Sequence, residues 1–170
     1  MQVRIRETGQ VMYESEFRAY QKANGGASWE TTTTEVLEAL GADVVFEGPQ
    51  ATGGTVYQYS QASGVEQIDG KWYTKHILGP VFTDTAATET EPAKTAAENE
   101  AAYKATKDAE QAKSVRTTRD TKLAECDWRV IKAAETATTL DAAWATYRQA
   151  LRDVTAQSGF PWTITWPDAP

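Results

Sequence analysis

Few residues in this 170-residue chain have the type and spacing for covalent chemistry. His76 is the lone histidine and falls on a predicted strand beside Lys75. As a general base or metal ligand it would need an oriented partner, and no second histidine or nucleophile stands at motif spacing, so its expected role is structural. The loop GPQATGG at 48–54 is glycine-rich but lacks the Gly-Lys-Ser/Thr ending and following helix of a phosphate-binding loop, and is expected to be a turn. The acidic pairs Glu14/Glu16, Glu35/Glu38 and Glu98/Glu100 have the composition of a glycosidase carboxylate pair. Each also sits where an exposed helix carries solvated charge. Cys126, the single cysteine, is flanked by Glu125 and Asp127, which oppose a thiolate, so it reads as a small packing residue. One cysteine excludes an intramolecular disulfide, and structural zinc needs about four Cys or His ligands. No catalytic residue, metal or cofactor is therefore expected.

Binding chemistry is better represented, and it gathers in residues 141–170. Leu140, Trp144, Tyr147, Leu151 and Val154 recur at three- or four-residue steps, which places them on one face of an amphipathic helix. Arg148, Arg152 and Asp153 are expected on the wetter sides. Gly159 and Pro161 end any helical continuation, and Phe160, Trp162, Ile164 and Trp166 then alternate with smaller or polar residues in the period of an extended strand. The chain closes on Trp166-Pro167-Asp168-Ala169-Pro170, which holds large aromatics at low conformational cost. Two readings of these aromatics stand together: they fold back to make a small local core, or they offer a hydrophobic docking surface that can also pair with a partner's sheet edge. The expected partner-binding residues are Trp144, Tyr147, Arg148, Leu151, Phe160, Trp162, Ile164, Trp166 and Pro167.

The elements that position these residues belong to the α+β class. Val3 and Ile5 alternate with polar neighbours, and a turn at 7–10 leads to Val11 and Met12, so a short hairpin is expected. Helix formers follow from Glu14 to Lys22, with Tyr13, Phe17 and Tyr20 on one side and a stop at Asn24-Gly25-Gly26. A second short helix is capped by Thr33 or Thr34 and stopped by Gly41. Strands are expected at 44–46, 55–60, 65–68 and 72–78, the last two joined by Asp69-Gly70, a strong signal for a two-residue hairpin turn. The expected unit is a small antiparallel sheet with two helices.

Residues 83–97 are low in large apolar side chains and mark the domain boundary. The expected organisation is a small α+β domain at 1–84, a linker at 85–92 and a helical domain with an aromatic tail at 93–170. Between Ala93 and Lys132 there is neither Gly nor Pro, which predicts one helix of about 40 residues, ~60 Å long at ~1.5 Å per residue. Its stripe of Ala97, Ala101, Ala105, Ala109, Ala112, Val115, Leu123, Cys126 and Val130 buries little. Pairs such as Glu100 with Lys104 and Arg116 with Asp120 support it, and the stripe allows self-association through a coiled coil.

Net charge of −7 and a pI near 4.8 make nucleic acid and anionic membrane surfaces improbable partners. The opening MQVRIRETG has no apolar signal region and no run approaches the length of a membrane span, so a cytoplasmic location is expected.

The run W-x-x-Y-R-x-x-L from Trp144 to Leu151, then G-F-P at Gly159–Pro161 and I-x-W-P at Ile164–Pro167, resembles the C-terminal segment of bacteriophage tail assembly chaperones and tail fibre assembly proteins. The stretch from Arg119 to Thr136 extends the likeness, which covers roughly 116–170; Cys126 stands where the family more often has Thr or Ser. The resemblance implies a chaperone in the host cytoplasm that binds the tail fibre protein, a trimer, and covers its apolar or unpaired-edge surface until the fibre's own chains bury it. A permanent virion subunit or cap on the fibre is the alternative within this class. From a different class, Trp72, Tyr73, Tyr57 and Tyr59 on the N-terminal sheet have the chemistry to stack on a glycan.

Overall fold

The computed structural model describes residues 1–170, and its internal contacts divide the chain into two units, Met1–Val81 and Phe82–Pro170. In the first unit the hairpin forms as expected, with β1 at Gln2–Ile5 and β2 at Val11–Tyr13. It leads into α1 at Glu14–Ala23, α2 at Thr34–Ala39 and β3 at Ala42–Phe46. The terminal pair is β4 at Tyr59–Ile68 and β5 at Lys71–Gly79. Local chemistry explains most of these boundaries. The Thr33 hydroxyl accepts from the Val36 amide at 3.3 Å to start α2, and α1 closes where the Gly26 amide donates back to the Gln21 carbonyl at 2.8 Å around Gly25 at φ +71°. Asp69 and Gly70 both take positive φ, +49° and +77°, as the two-residue turn between β4 and β5 demands.

The five strands lie in the order β2-β1-β3-β5-β4. The sheet is mixed rather than antiparallel, because β3 and β5 run parallel, with Val45 opposite Trp72 and Phe46 opposite Tyr73. The Asp-Gly turn sets β5 only against β4; how that hairpin approaches β3 depends on the long connection at 47–58, which carries no local directional signal. The strands expected at 55–60 and 65–68 are one strand, β4, whose register against β5 shifts between Ala62 and Val65. The shift is a bulge at Gly64, φ +82°. Residues Thr55–Gln58 instead close a turn, the Gln58 amide donating to the Thr55 carbonyl at 3.0 Å.

The core of this unit joins Val3, Ile5 and Ala42 of the sheet to Phe17 of α1 and Leu37 of α2, with Trp29 and Tyr20 packed around them. Val3, Phe17 and Leu37 are fully buried, which stabilises the unit by about 1.5–3 kcal/mol for each large side chain. The loop after α1 is tied down by Arg18, which donates to the Trp29 carbonyl and the Thr32 hydroxyl. Glu14 accepts from Thr32 and Arg18, and these bonds hold its carboxyl below the ordinary glutamate range.

The second unit contains α3 at Ala96–Glu125, α4 at Asp127–Glu135, α5 at Ala142–Asp153 and a 3₁₀ turn at Val154–Ala156. Residues 83–95 fold back on themselves before α3: Thr85 and Lys94 exchange backbone hydrogen bonds at 2.8 and 3.0 Å, and Asp84 accepts from the Ala96 amide at 2.7 Å. Thr95 and Glu98 then form a reciprocal capping box. The single helix expected to run to Lys132 is broken at Cys126, where φ −112° and ψ 3° leave helical geometry. The Ala stripe is only partly used. Ala112, Val115 and Cys126 are buried, but Ala97, Ala101, Ala105 and Ala109 are exposed, and Tyr103 packs against Phe82 with ring centroids 5.4 Å apart. Glu100 and Lys104 pair at 2.6 Å as expected. Asp120 pairs with Arg119 rather than Arg116, whose guanidinium lies over the Phe160 ring. No helix is long and apolar enough to cross a membrane.

Candidate docking surface

The break at Cys126 organises everything that follows it in the second unit. Arg148, expected on a wet side of α5, is buried at 8% exposure and reaches the end of α3. Its Nη1 donates to the Leu123 carbonyl at 3.0 Å and to Cys126 Sγ at 2.9 Å, and its Nη2 donates to Asp127 Oδ1 at 2.7 Å. One guanidinium therefore adds a donor to a carbonyl in the last turn of α3, which also accepts from the Cys126 amide, and pairs with the first residue of α4. Burial disfavours its charge, but the bonds to Asp127 and Cys126 outweigh that and raise its affinity for the proton. The periodicity placed Arg148 one position off the apolar stripe; only the turn of the chain at Cys126 supplies the acceptors that draw it inward.

Tyr147 and Leu151, at 6% and 0% exposure, pack with Cys126 into the core of this unit, with Leu123, Trp144 and Trp166 around them. Burial pushes the Tyr147 hydroxyl above its ordinary range, with Cys126 and Glu125 adding to the effect. Asp141 starts α5, its Oδ1 accepting from the Ala143 and Trp144 amides at 2.9 and 3.3 Å.

The tail forms no strand. Residues after Ala156 turn back, with the Trp162 and Thr163 amides both donating to the Gly159 carbonyl at 2.9 and 2.7 Å. A Cβ at Gly159 would stand 2.4 Å from the Thr163 carbonyl oxygen, so this turn requires glycine. Gln157 then clamps Thr165, donating to its carbonyl at 2.8 Å and accepting from its amide at 2.9 Å. The turn uses the backbone groups that an extended, alternating segment would have offered to a partner's edge. Phe160 lies under Arg116, the Trp162 indole donates to Asp108 Oδ1 at 2.6 Å, and Trp166 packs on the Cys126 cluster with Lys122 near its ring. Phe160, Trp162, Ile164, Trp166 and Pro167 are all half-buried. Of the nine expected partner-binding residues, three are interior and six keep part of their surface in solvent.

The most exposed large apolar side chains of this unit's helices lie elsewhere, on α4. Trp128, Val130 and Ile131 are 52%, 39% and 57% exposed, and Trp128 and Ile131, one turn apart, share one arc of the helix away from buried Ala133. The expected continuous helix hid this face, since a thin Ala stripe gives no reason to look for a second apolar side. The i, i+3 spacing of Trp128 and Ile131 was the available signal. Beside Trp128 a groove of about 200 Å³ opens between α4 and the start of α5, lined by Arg129, Lys132, Leu140, Asp141 and Trp144 among others. The Arg129 guanidinium lies 3.8 Å from the Trp144 ring centre and 4.5 Å from that of Trp128.

In the first unit, His76 Nε2 lies 2.8 Å from Glu47 Oε1 and 3.2 Å from Gln50 Nε2, and its Nδ1 is buried without a hydrogen-bond partner. Trp72 lies beneath Arg4, and Tyr73 packs against Phe46. No group of three or more His, Cys, Asp and Glu side chains is disposed to hold a metal ion.

No curated protein and no solved structure matches the chain. Residues 112–170, which span the end of α3, the break at Cys126, α4, α5 and the folded-back tail, match the family described as phage tail assembly chaperone protein, the family that the C-terminal motifs resemble.

Proposed function

We propose that this protein is a chaperone of phage tail assembly that acts on the tail fibre protein, in the cytoplasm of the infected host, by covering apolar surface until the fibre trimer buries it. The reading is supported by the family match over residues 112–170 and, within that segment, by the exposed α4 face of Trp128 and Ile131. An apolar face kept in solvent by a helix whose other side is packed is the feature a holding chaperone needs, because it competes for the same surface that drives the fibre chains to aggregate. Binding of this kind needs no covalent step, metal or nucleotide. Release follows when fibre chains bury the same surface against one another, provided that the chaperone contact is the weaker of the two.

Co-expression of the adjacent phage fibre protein with and without this chain tests the proposal. The expected outcome is more soluble fibre trimer with it, and loss of that gain in the Trp128→Ala/Ile131→Ala double variant. Because both side chains are largely exposed, the double variant should keep its stability to within about 1 kcal/mol. A fibre that trimerises equally well without the wild-type chain rules the proposal out.

A further inference from the structure

The groove beside the apolar face has a chemistry of its own. At about 200 Å³ it is smaller than the roughly 300–1,000 Å³ typical of small-molecule sites. Its size suits a side chain or two of a protein segment. It is also locally cationic in a chain whose net charge is −7. Arg119 and Arg148 of the same unit are engaged by Asp120 and Asp127. Arg129 and Lys132 have no carboxylate within 4 Å, and neither makes any other side-chain hydrogen bond or ion pair. The one acid in the groove, Asp141, already accepts two backbone N–H bonds at the start of α5.

Arg129 is moreover held in place by its stacking between Trp144 and Trp128. A guanidinium stacked on an aromatic face keeps its in-plane N–H donors at the edge of the stack, arranged as a fork that matches a carboxylate. Lys132 lies one turn from Trp128 on the same helix and adds a second charge. Two unpaired cations with a preorganised fork, beside exposed Trp128 and Ile131, complement a segment that carries a carboxylate next to an apolar side chain.

From this charge complementarity we infer that the groove is the docking seat for an acidic, apolar segment of the client protein, with the client carboxylate bound by Arg129 and Lys132 and its neighbouring apolar side chain laid against Trp128. The inference rests on the chaperone reading for the client's identity but not for its chemistry. The overall negative charge of the chain opposes an acidic partner only at long range, and at physiological salt that field is screened beyond about 8 Å. At contact the local cations decide.

The test uses the full-length chain, labelled with ¹⁵N, and a synthetic six-residue peptide alternating glutamate with leucine. Its control is the same peptide with glutamine at each acidic position. The acidic peptide should shift the Arg129 Nε–H and the Trp128 and Trp144 indole signals, and should bind about tenfold tighter than the glutamine peptide, as expected for one charge-assisted bidentate contact. In Arg129→Gln that preference should fall to about unity, and Arg129→Lys should recover only part of it because a lysine offers no fork. Equal affinity for the two peptides, or no shift of these signals up to millimolar peptide, overturns the inference. So does sedimentation showing a dimer of the chain that Arg129→Gln dissociates, since the occupant is then a second copy. Placing Arg129→Gln in the fibre co-expression separates the two readings. If wild type and variant both raise soluble fibre equally, the acidic seat is wrong and the chaperone stands. If neither raises it while the peptide preference holds, the chaperone reading fails and the seat stands.

Discussion

Arg148 shows how much one side chain can do when it is placed at an interruption. Its guanidinium meets the Leu123 carbonyl, the Cys126 sulfur and the Asp127 carboxylate, so it holds α3, α4 and α5 together at the break. Truncation removes the bonds to Leu123, Cys126 and Asp127 together in a partly buried place, although the Leu123 carbonyl keeps the Cys126 amide, a loss we expect to cost about 2–3 kcal/mol in Arg148→Met. Arg148→Lys should recover little, because one ammonium cannot present the planar fork that reaches all three acceptors. Urea unfolding followed by tryptophan fluorescence measures both. If the lysine variant is as stable as wild type, the residue contributes only charge. Cys126 accommodates this arrangement through its size and its sulfur, which sits 3.2 Å from the Leu123 carbonyl as well as accepting from Arg148. A threonine or serine at this position has the same small volume and the same ability to donate and accept.

At the scale of elements, the tail is packed while α4 carries exposed apolar side chains. The tail aromatics are held by a glycine-dependent turn, by the Gln157 clamp and by contacts with α3, so they contribute to the stability of the second unit. Deleting residues 155–170 should therefore lower the helical content of the unit rather than remove a free docking arm. Trp166→Ala, which uncovers the Cys126, Tyr147 and Leu151 cluster, should cost about 2 kcal/mol, less than the 3–5 kcal/mol of a fully buried aromatic because Trp166 is only half-buried. Circular dichroism during thermal unfolding decides between the two views. A truncated chain with unchanged helix signal and melting would return the tail to the role of a docking arm. By contrast α4 buries only Ala133 and leaves Trp128 and Ile131 in water, so truncating those two side chains should cost little stability.

For the whole molecule, the separation of internal contacts at Val81 and Phe82 has a direct consequence. The first unit has its own sheet, its own core of Val3, Ile5, Phe17, Leu37 and Ala42, and its own polar tie through Arg18. Residues 1–81 expressed alone should fold cooperatively, with a near-ultraviolet signal from Trp29 packed against the core and a single unfolding transition in urea. A molten or unfolded 1–81 would show that the first unit depends on the rest of the chain. The family match lies entirely within the other unit, so the tail-assembly reading attaches to residues 112–170.

Much of this architecture was legible in the chain because its signals are local. The Asp69-Gly70 hairpin, the Thr33 cap, the Gly25 and Gly41 stops and the apolar face of α5 each follow from a few neighbouring residues, and each forms where those residues place it. The C-terminal motifs likewise carry a resemblance to the family whose model matches residues 112–170. What the chain left open depends on contacts distant in sequence. The parallel pairing of β3 with β5 is decided by how a twelve-residue connection routes a hairpin, and the single long helix is interrupted at Cys126, where Arg148, 22 residues on, bonds the Leu123 carbonyl, the Cys126 sulfur and Asp127. Once α3 breaks there, Trp128 and Ile131 are carried outward, Arg129 is brought onto Trp144, and the tail finds a cluster to cover. Periodicity can assign a residue to a face, but only packing selects which face meets protein and which meets water.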